Sequence, residues 1–464
     1  HHKTLCRQKC SSASHYITSC SRMKMNSEKT LVVTVLLSLT AWSLGEGLEI
    51  NIKERLKKRM NKMSKKIIKK KGLIIYEGEL EEIDPIKSKL DMSISKFSFT
   101  LFKNLIESRT VDNKLTKNVL VSTASAYRAF LEIYLGAEGQ TKKELAKALR
   151  IEYDYEKLLG MFQDMRSSFV LDFFDMYRLV INTTYPIHSD IQKLLGEDLL
   201  MSRISSTITM NYLNRMAQET AKKKALKIYS EKFSRDLTFI MTTMTAFRVI
   251  WNTPFPTENS DRQIFHYDKK NGIPCRLMNT IGRFLYYRSD AMMAEVVGLE
   301  SNESPLTLYI FVPLRDQTIH NMTQTMKLKH IMKAIDDSTE KLLEIYLPSF
   351  TLSEKVDLIP CLKEMNVTSL FDPELADLSG FSDHSGLSLG HATQNTLIEV
   401  DEGIVDENGK PIKANLQRGS SEEKGEVELR VYANGPFVYV LYDDASDYPV
   451  MMGVLMKPDR VRVV

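Results

Sequence analysis

Cysteine is scarce, and three of the five cysteines, Cys6, Cys10 and Cys20, precede the first methionine. The remaining two, Cys275 and Cys361, make no disulfide framework. They can bridge, or stand as two buried free thiols, the commoner fate of cysteine. The nine histidines fall into no HExxH run and no Cys/His spacing suited to zinc, so no metal site is expected. No Walker-type glycine loop is present, and nothing in the chain calls for a cofactor. A formal charge of +4 over 464 residues is too small to mark a nucleic-acid binder. Internal repeats and a domain-splitting linker are also missing. Past the first 44 residues no apolar run is long enough to anchor the chain in a membrane.

What is there begins with an address. Residues 1–22 show no apolar periodicity, and Met23 and Met25 read as the true starts. Lys24 and Lys29 precede a 14-residue apolar run, Leu31–Leu44. That is short for a membrane span and right for a signal peptide over 23–47, cleaved near Gly45–Gly47. A secreted, extracellular, monomeric protein is the expectation. Four sequons suit a glycoprotein: Asn182, Asn302, Asn321 and Asn366 each lead an Asn-x-Ser/Thr triplet.

An N-terminal extension over 48–84 is basic, then acidic. Asn51–Lys71 holds 11 Lys/Arg and a single Glu, with Ile52, Leu56, Met60, Met63 and Ile67 at helical spacing. Lys57, Lys58, Arg59, Lys62, Lys65, Lys66, Lys69, Lys70 and Lys71 are candidate contacts to a polyanion, such as a glycosaminoglycan, or to an anionic lipid surface. The plain alternative is a solvated tail. Glu77, Glu79, Glu81, Glu82 and Asp84 follow at once and could mask the basic run.

From Pro85 to the C-terminus the pattern is that of a single α+β domain with large, mostly antiparallel sheets. Ile94, Phe97, Leu101, Leu105 and Ile106 predict a core-facing helix. Asn118–Ser122 predicts a buried strand, and Ala124–Leu135 a helix stopped by Gly136. Thr141 and Glu144 have capping-box spacing and predict the start of another helix. Met241–Trp251, Leu308–Leu314 and Glu344–Leu347 read as strands, Met326–Leu343 as a helix.

Near the C-terminus, Thr396–Val400, Glu426–Ala433 and Phe437–Tyr442 read as strands. Asp401–Gly425 between them is rich in charge, Gly, Ser and Asn. A loop of that length in a compact domain is usually functional or disordered. One catalytic pattern matches on paper: Gly386, Ser388 and Gly390 form a G-x-S-x-G with His391 adjacent. A nucleophile elbow needs a helix after it, and the segment that follows is strand-like. The residues fit a Gly/Ser-rich turn, and an enzyme is not expected.

Several segments together resemble the serpin family. They are Asn118–Ser125 (NVLVSTAS), Leu135–Thr141 (LGAEGQT), Trp251–Phe255 with Phe265-His266, Leu370–Asp383 (LFDPELADLSGFSD), Ile398–Gly403 (IEVDEG), Pro436-Phe437, and Met452-Gly453 with Lys457-Pro458. The resemblance spans about Ser93 to Pro458. It implies three mostly antiparallel β-sheets, eight or nine helices and an exposed reactive loop. In inhibitory members a serine protease attacks that loop, and the cut loop then enters the largest sheet as a new strand. Asp401–Gly425 stands where the resemblance puts it, with the scissile bond near Gln417, Arg418 and Gly419. Arg418 would select a trypsin-like extracellular serine protease, and Lys424 is the alternative.

The departures weigh against trapping. The hinge is Glu402, Gly403, Ile404, Val405 and Asp406, where the family usually has small residues after the glycine. Insertion would turn Ile404, Asp406, Asn408 and Lys410 toward the core, where an unpaired charge costs several kcal/mol. Pro411 would remove a ladder donor from a central strand. Thr123 stands for a usual Pro, Thr243 for a usual Asn, and Gln394-Asn395 for a usual His-Lys pair. The last two changes lie in one buried network and could compensate. The expected protein is therefore a serpin-like molecule with impaired or absent protease trapping, either non-inhibitory or simply cleavable, and the alternative is a suicide-substrate inhibitor.

Overall fold

In a computed structural model of the chain, the structure describes residues 85–458 except 153–157, 161, 164, 166–172, 222–227, 249, 269, 303, 316 and 404–425. The chain divides into two units, His1–Glu79 and Leu80–Val464, and every described residue belongs to the second. The signal peptide, the basic run and its acidic neighbour, with all nine lysine and arginine candidates, lie outside the described residues.

Helix α1, Pro85–Arg109, opens on a proline, which is pre-set for the first helical position. Ile94, Phe97, Leu101, Leu105 and Ile106 line its buried stripe, as the periodicity predicts, and Leu90 extends it. A two-residue hairpin pairs β1, Thr110–Val111, with β2, Lys114–Leu115. Strand β3, Val119–Val121, then runs into α2, Thr123–Leu135, which ends at Gly136. Phe381 explains that glycine, because a Cβ on Gly136 would lie 2.4 Å from its ring.

Helix α3, Gly139–Leu149, starts two residues before the expected capping box, with Glu138 as its N-cap and no side-chain cap bond. The residues expected to cap work elsewhere. Thr141 Oγ1 accepts from Asp377 N at 3.0 Å, and Glu144 Oε2 accepts from Thr368 N and Ser369 N at 2.8 and 2.9 Å. Two sequence motifs some 230 residues apart thus form one tertiary knot, and the capping-box reading gives way to it. Short helices α4, Ser189–Leu195, and α5, Thr207–Thr220, follow.

The strands hold more of the described residues than the helices do. One sheet has five strands in the order β12–β13–β6–β4–β5: Phe350–Asp357, Leu389–Val400, Phe239–Arg248, Phe173–Ile181 and Leu199–Met201. The other has nine. Its path is β14 (Leu429–Tyr432), β11 (Thr339–Pro348), β8 (Gly272–Ser289), β9 (Ala294–Glu300), β10 (Leu306–Pro313), β15 (Phe437–Asp443), β16 (Tyr448–Leu455) and β3, with β7 (Asp261–His266) on β8. Pairing is antiparallel except at β13–β6, β4–β5 and β11–β14.

The expected helix over Met326–Leu343 stops early. Helix α6, Ile319–Thr325, precedes α7, Leu328–Asp336, and β11 begins at Thr339. Ten registered pairs with β8, Thr339↔Tyr286 to Pro348↔Leu277, outweigh the helix propensity of Glu340-Lys-Leu-Leu-Glu344. After β12 comes α8, Ile359–Glu364. Cys361 and Cys275 are free and buried in different hydrophobic clusters. Burial pushes each thiol up to about 11, so both are unreactive packing groups. No helix among the described residues is long and apolar enough to cross a membrane.

Candidate functional site: the roots of the loop and the seam beneath it

Ile404, Val405, Asp406, Gln417, Arg418 and Gly419 lie outside the described residues, but both roots of the loop are in place. At the leading root, Trp251 Nε1 donates to Asp401 O at 2.8 Å, and Phe255 N donates to Glu402 O at 3.3 Å. Gly403 N donates to Asp401 Oδ1 at 2.9 Å, closing a tight turn. Gly403 has φ +83°, and a Cβ there would lie 2.1 Å from Trp251 Cδ1. Backbone conformation and indole contact both require glycine. Two arginines hold the carboxylates: Arg276 Nε meets Glu402 Oε1 at 2.5 Å, and Arg248 Nη2 meets Asp401 Oδ2 at 3.1 Å. At the trailing root, Glu428 N donates to Leu342 O at 2.9 Å, and Arg430 Nε reaches Glu344 Oε2 at 2.6 Å. Tyr432 stacks on Tyr346 with ring centroids 4.4 Å apart.

Between the roots and the core runs a seam. Strands β13 and β6 are parallel neighbours, paired from Leu389↔Phe239 to Glu399↔Arg248 with one irregularity after Leu389. The five-stranded sheet is therefore closed, and a strand entering here must break this ladder.

A polar shelf lies under the seam. Gln394 on β13 clasps Ser122 both ways: its Nε2 donates to Ser122 O at 2.8 Å, and Ser122 N donates to its Oε1 at 2.9 Å. Ser122 Oγ donates to Ser125 Oγ at 2.7 Å, and Ser125 Oγ lies 2.9 Å from Thr245 Oγ1 on β6. Thr123 Oγ1 donates to Pro449 O at 3.1 Å. Thr243, opposite Gln394 in register, has a buried Oγ1 with no partner. Gln394 thus serves Ser122, and its neighbour Asn395 donates through Nδ2 to the Thr243 carbonyl at 3.5 Å, so the two departures meet through the Thr243 backbone and not through its hydroxyl.

Next to the shelf is a buried ionic cluster. Arg128 on α2 reaches Glu132 Oε1 through Nε at 3.2 Å and Asp198 Oδ2 through Nη2 at 2.6 Å. Its guanidinium carbon sits 3.8 Å from the centre of the Tyr177 ring. Tyr177 donates to Asp175 at 2.7 Å, and its hydroxyl lies 3.3 Å from Ser125 Oγ. Arg178 Nη1 is 3.8 Å from Asp198. Glu132 has no exposed surface. Burial, reinforced by Asp198, pushes its carboxyl up to about 8. Burial works against the Arg128 charge, but Tyr177, Glu132 and Asp198 outweigh it and hold the guanidinium protonated.

The remaining predicted sites are scattered. Asn302, Asn321 and Asn366 are exposed and Asn182 is half-buried. Ser388 of the G-x-S-x-G is buried, its N donates to Thr238 Oγ1 at 3.1 Å, and it is followed at once by β13, which is the geometry of a turn. Among the described residues no group of three or more His, Cys, Asp or Glu could hold a metal ion.

Sequence reasoning marks Gly403, because the motif leads to it. It misses Arg276 and Arg248, whose carboxylate partners are more than 125 and 150 residues away in sequence. It also misses Arg128 and Glu132. The one available signal is an i,i+4 ion pair in an otherwise apolar helix, a pattern that usually faces water.

The family description "Serpin (serine protease inhibitor)" matches residues 92–458. Among similar sequences, alpha-1-antitrypsin of Sus scrofa is 22% identical over 396 residues, 79% of this chain and 87% of the relative. Alpha-1-antiproteinase of Rattus norvegicus is 20% identical over 404 residues, 82% of this chain and 92% of the relative. Among solved structures, mouse protein-Z dependent protease inhibitor superposes with a TM-score of 0.69 at 19% identity, covering 81% of this chain and 98% of the other. Uncleaved ovalbumin superposes with a TM-score of 0.68 at 17% identity, covering 80% and 100%.

Proposed function

The chain belongs to the serpin family, and from that premise we propose that it is a secreted, non-enzymatic serpin whose reactive loop is offered for cleavage but enters the sheet poorly. The observation that carries this reading is the sequence that follows Gly403. Ile404-Val-Asp-Glu-Asn-Gly-Lys-Pro411 would have to become the strand between β13 and β6. That strand would bring charges to a buried position, at a cost of several kcal/mol for an unpaired one. Pro411 would leave a gap in the ladder. Trapping depends on inserting before the acyl-enzyme is hydrolysed, so a slow strand releases an intact protease and a cut loop.

The leading root supports the same outcome. Trp251, Arg248 and Arg276 hold Asp401–Gly403 in place, and the seam is paired to within one residue of that root. The basic run at Asn51–Lys71 adds a polyanion-binding role at the N-terminal extension, and the sequons add glycans. A second reading, inhibition of a trypsin-like extracellular protease through Arg418, is favoured by the relatives' names, antitrypsin and antiproteinase.

Incubation with trypsin and a panel of arginine-specific proteases, followed by denaturing gels and thermal melts, separates the two. Cleavage near Arg418 without a covalent complex and without a large rise in melting temperature is expected. A complex that survives denaturation would establish the second reading. For the extension, steeply salt-dependent retention on heparin is expected, and flat retention would remove the polyanion role.

A further inference from the structure

Charges are rarely buried without a reason, and the cluster at α2 and β4 buries several in one place. The groups facing Glu132 are Arg128 on its own helix and Asp198 from the turn after α4. Strand β4 adds Asp175 at the rim, Tyr177 and Arg178, and α5 adds the Tyr212 hydroxyl, which accepts from Arg178 Nε at 3.2 Å. The two guanidinium charges are matched by Asp198 and Asp175. The cluster is therefore balanced only while Glu132 holds a proton.

The cluster does not end at β4. Tyr177 touches Ser125, Ser125 touches Thr245 on β6 and Ser122 on β3–α2, and Ser122 is clasped by Gln394 on β13. The chain of polar contacts therefore reaches both strands of the seam. Neither of those strands brings a charge to it; Thr245 and Gln394 are uncharged.

We propose that this cluster is a proton-operated catch on the five-stranded sheet: with Glu132 protonated it holds β6 and β13 together through Tyr177, Ser125 and Ser122, and on losing that proton it lets them part. The inference goes beyond the reading of the loop, because it concerns the opening of the seam whether or not any strand enters. Its direction follows from linkage. In the closed sheet burial and Asp198 hold the Glu132 carboxyl protonated well above the ordinary carboxylate range, whereas the same carboxyl in water loses its proton near 4.5. Stability tied to that proton is full at acid pH and drains away as pH rises through the folded value. A second carboxylate beside Asp198, sharing the one Arg128 guanidinium with it, then favours any opening that admits water. Tyr177 stays protonated throughout, because burial and Asp175 hold its hydroxyl well above the ordinary range.

Hydrogen–deuterium exchange on the full chain tests this, read as protection factors so that the intrinsic effect of pH is removed. Between pH 6 and pH 9.5, protection along β6 and β13 is expected to fall about tenfold or more, since one unit of pKa difference is a factor of ten. Protection along β10 and β15 is expected to stay level. Glu132→Gln, which keeps the shape and cannot ionise, is expected to flatten the response at β6 and β13. Tyr177→Phe, which cuts the chain of contacts at one hydroxyl, is expected to keep the alkaline fall in melting temperature and lose the response at β13. The proposal is overturned if wild type shows no fall, if Glu132→Gln falls equally, or if Tyr177→Phe leaves the β13 response intact.

Discussion

In the nine-stranded sheet, β10 sets Leu308, Tyr309, Ile310 and Phe311 against Val438, Tyr439, Val440 and Leu441 of β15. In the five-stranded sheet, β6 sets Thr242, Thr243 and Thr245 against Thr393, Gln394 and Thr396 of β13. All of these residues leave under a tenth of their surface exposed. The material differs. Apolar burial is worth roughly 25 cal/mol per Å², whereas a satisfied buried hydrogen bond nets only about 1 kcal/mol. At Thr243 and Thr396 even that is missing, since both buried hydroxyls lack partners. Equal burial thus hides unequal cohesion: one sheet is a frame, and the other has a polar line along which it is weakest.

Substitutions can break or sharpen this contrast. The largest effect is expected in the frame, where Phe311→Ala should lower unfolding free energy by about 3–5 kcal/mol in urea titrations. Gln394→Ala comes next, because it strands Ser122 N and O beneath the seam, and about 1–3 kcal/mol should be lost. That loss should be accompanied by faster amide exchange in β13 and not in β15, and equal acceleration in both would abolish the distinction. Gly403→Ala should cost about 1–3 kcal/mol through its left-handed backbone. The clash with the indole should change Trp251 fluorescence, and an unchanged spectrum would mean that the root is not held as described. The smallest and most pointed case is Thr243→Val. It removes an unpartnered hydroxyl at nearly constant volume, so it should be neutral or stabilising by about 1 kcal/mol. A clear destabilisation would show the hydroxyl to be engaged.

Much of the frame is legible in the sequence. Helix α1 follows from Ile94, Phe97, Leu101, Leu105 and Ile106, because one apolar stripe needs one partner surface. The quoted motifs contain both Gly136 and Phe381, although their mutual contact is invisible until the chain folds. Thr141 and Glu144 mislead for that reason: local spacing spells a cap, and a segment 230 residues away claims both side chains. Lys341–Glu344 misleads similarly, since pairing with β8 overrides a helical composition. The seam is the least legible part. Thr, Gln and Asn in a strand look like a solvent face, and only neighbours from α2, α5, β3 and β4 make them interior. The bait segment itself is legible as a departure, because Ile404 to Pro411 can be judged against the strand it would have to become.

The parallel pairing of β13 with β6 has a consequence in chain connectivity. No turn joins these two strands, and about 140 residues lie between the end of β6 and the start of β13, including most strands of the nine-stranded sheet. The five-stranded sheet is thus two independently tethered panels, β12–β13 and β6–β4–β5, meeting at one unstitched border. Drawing the panels apart stretches no hairpin and shortens no loop. The backbone permits the opening, and only side chains and ladder hydrogen bonds oppose it.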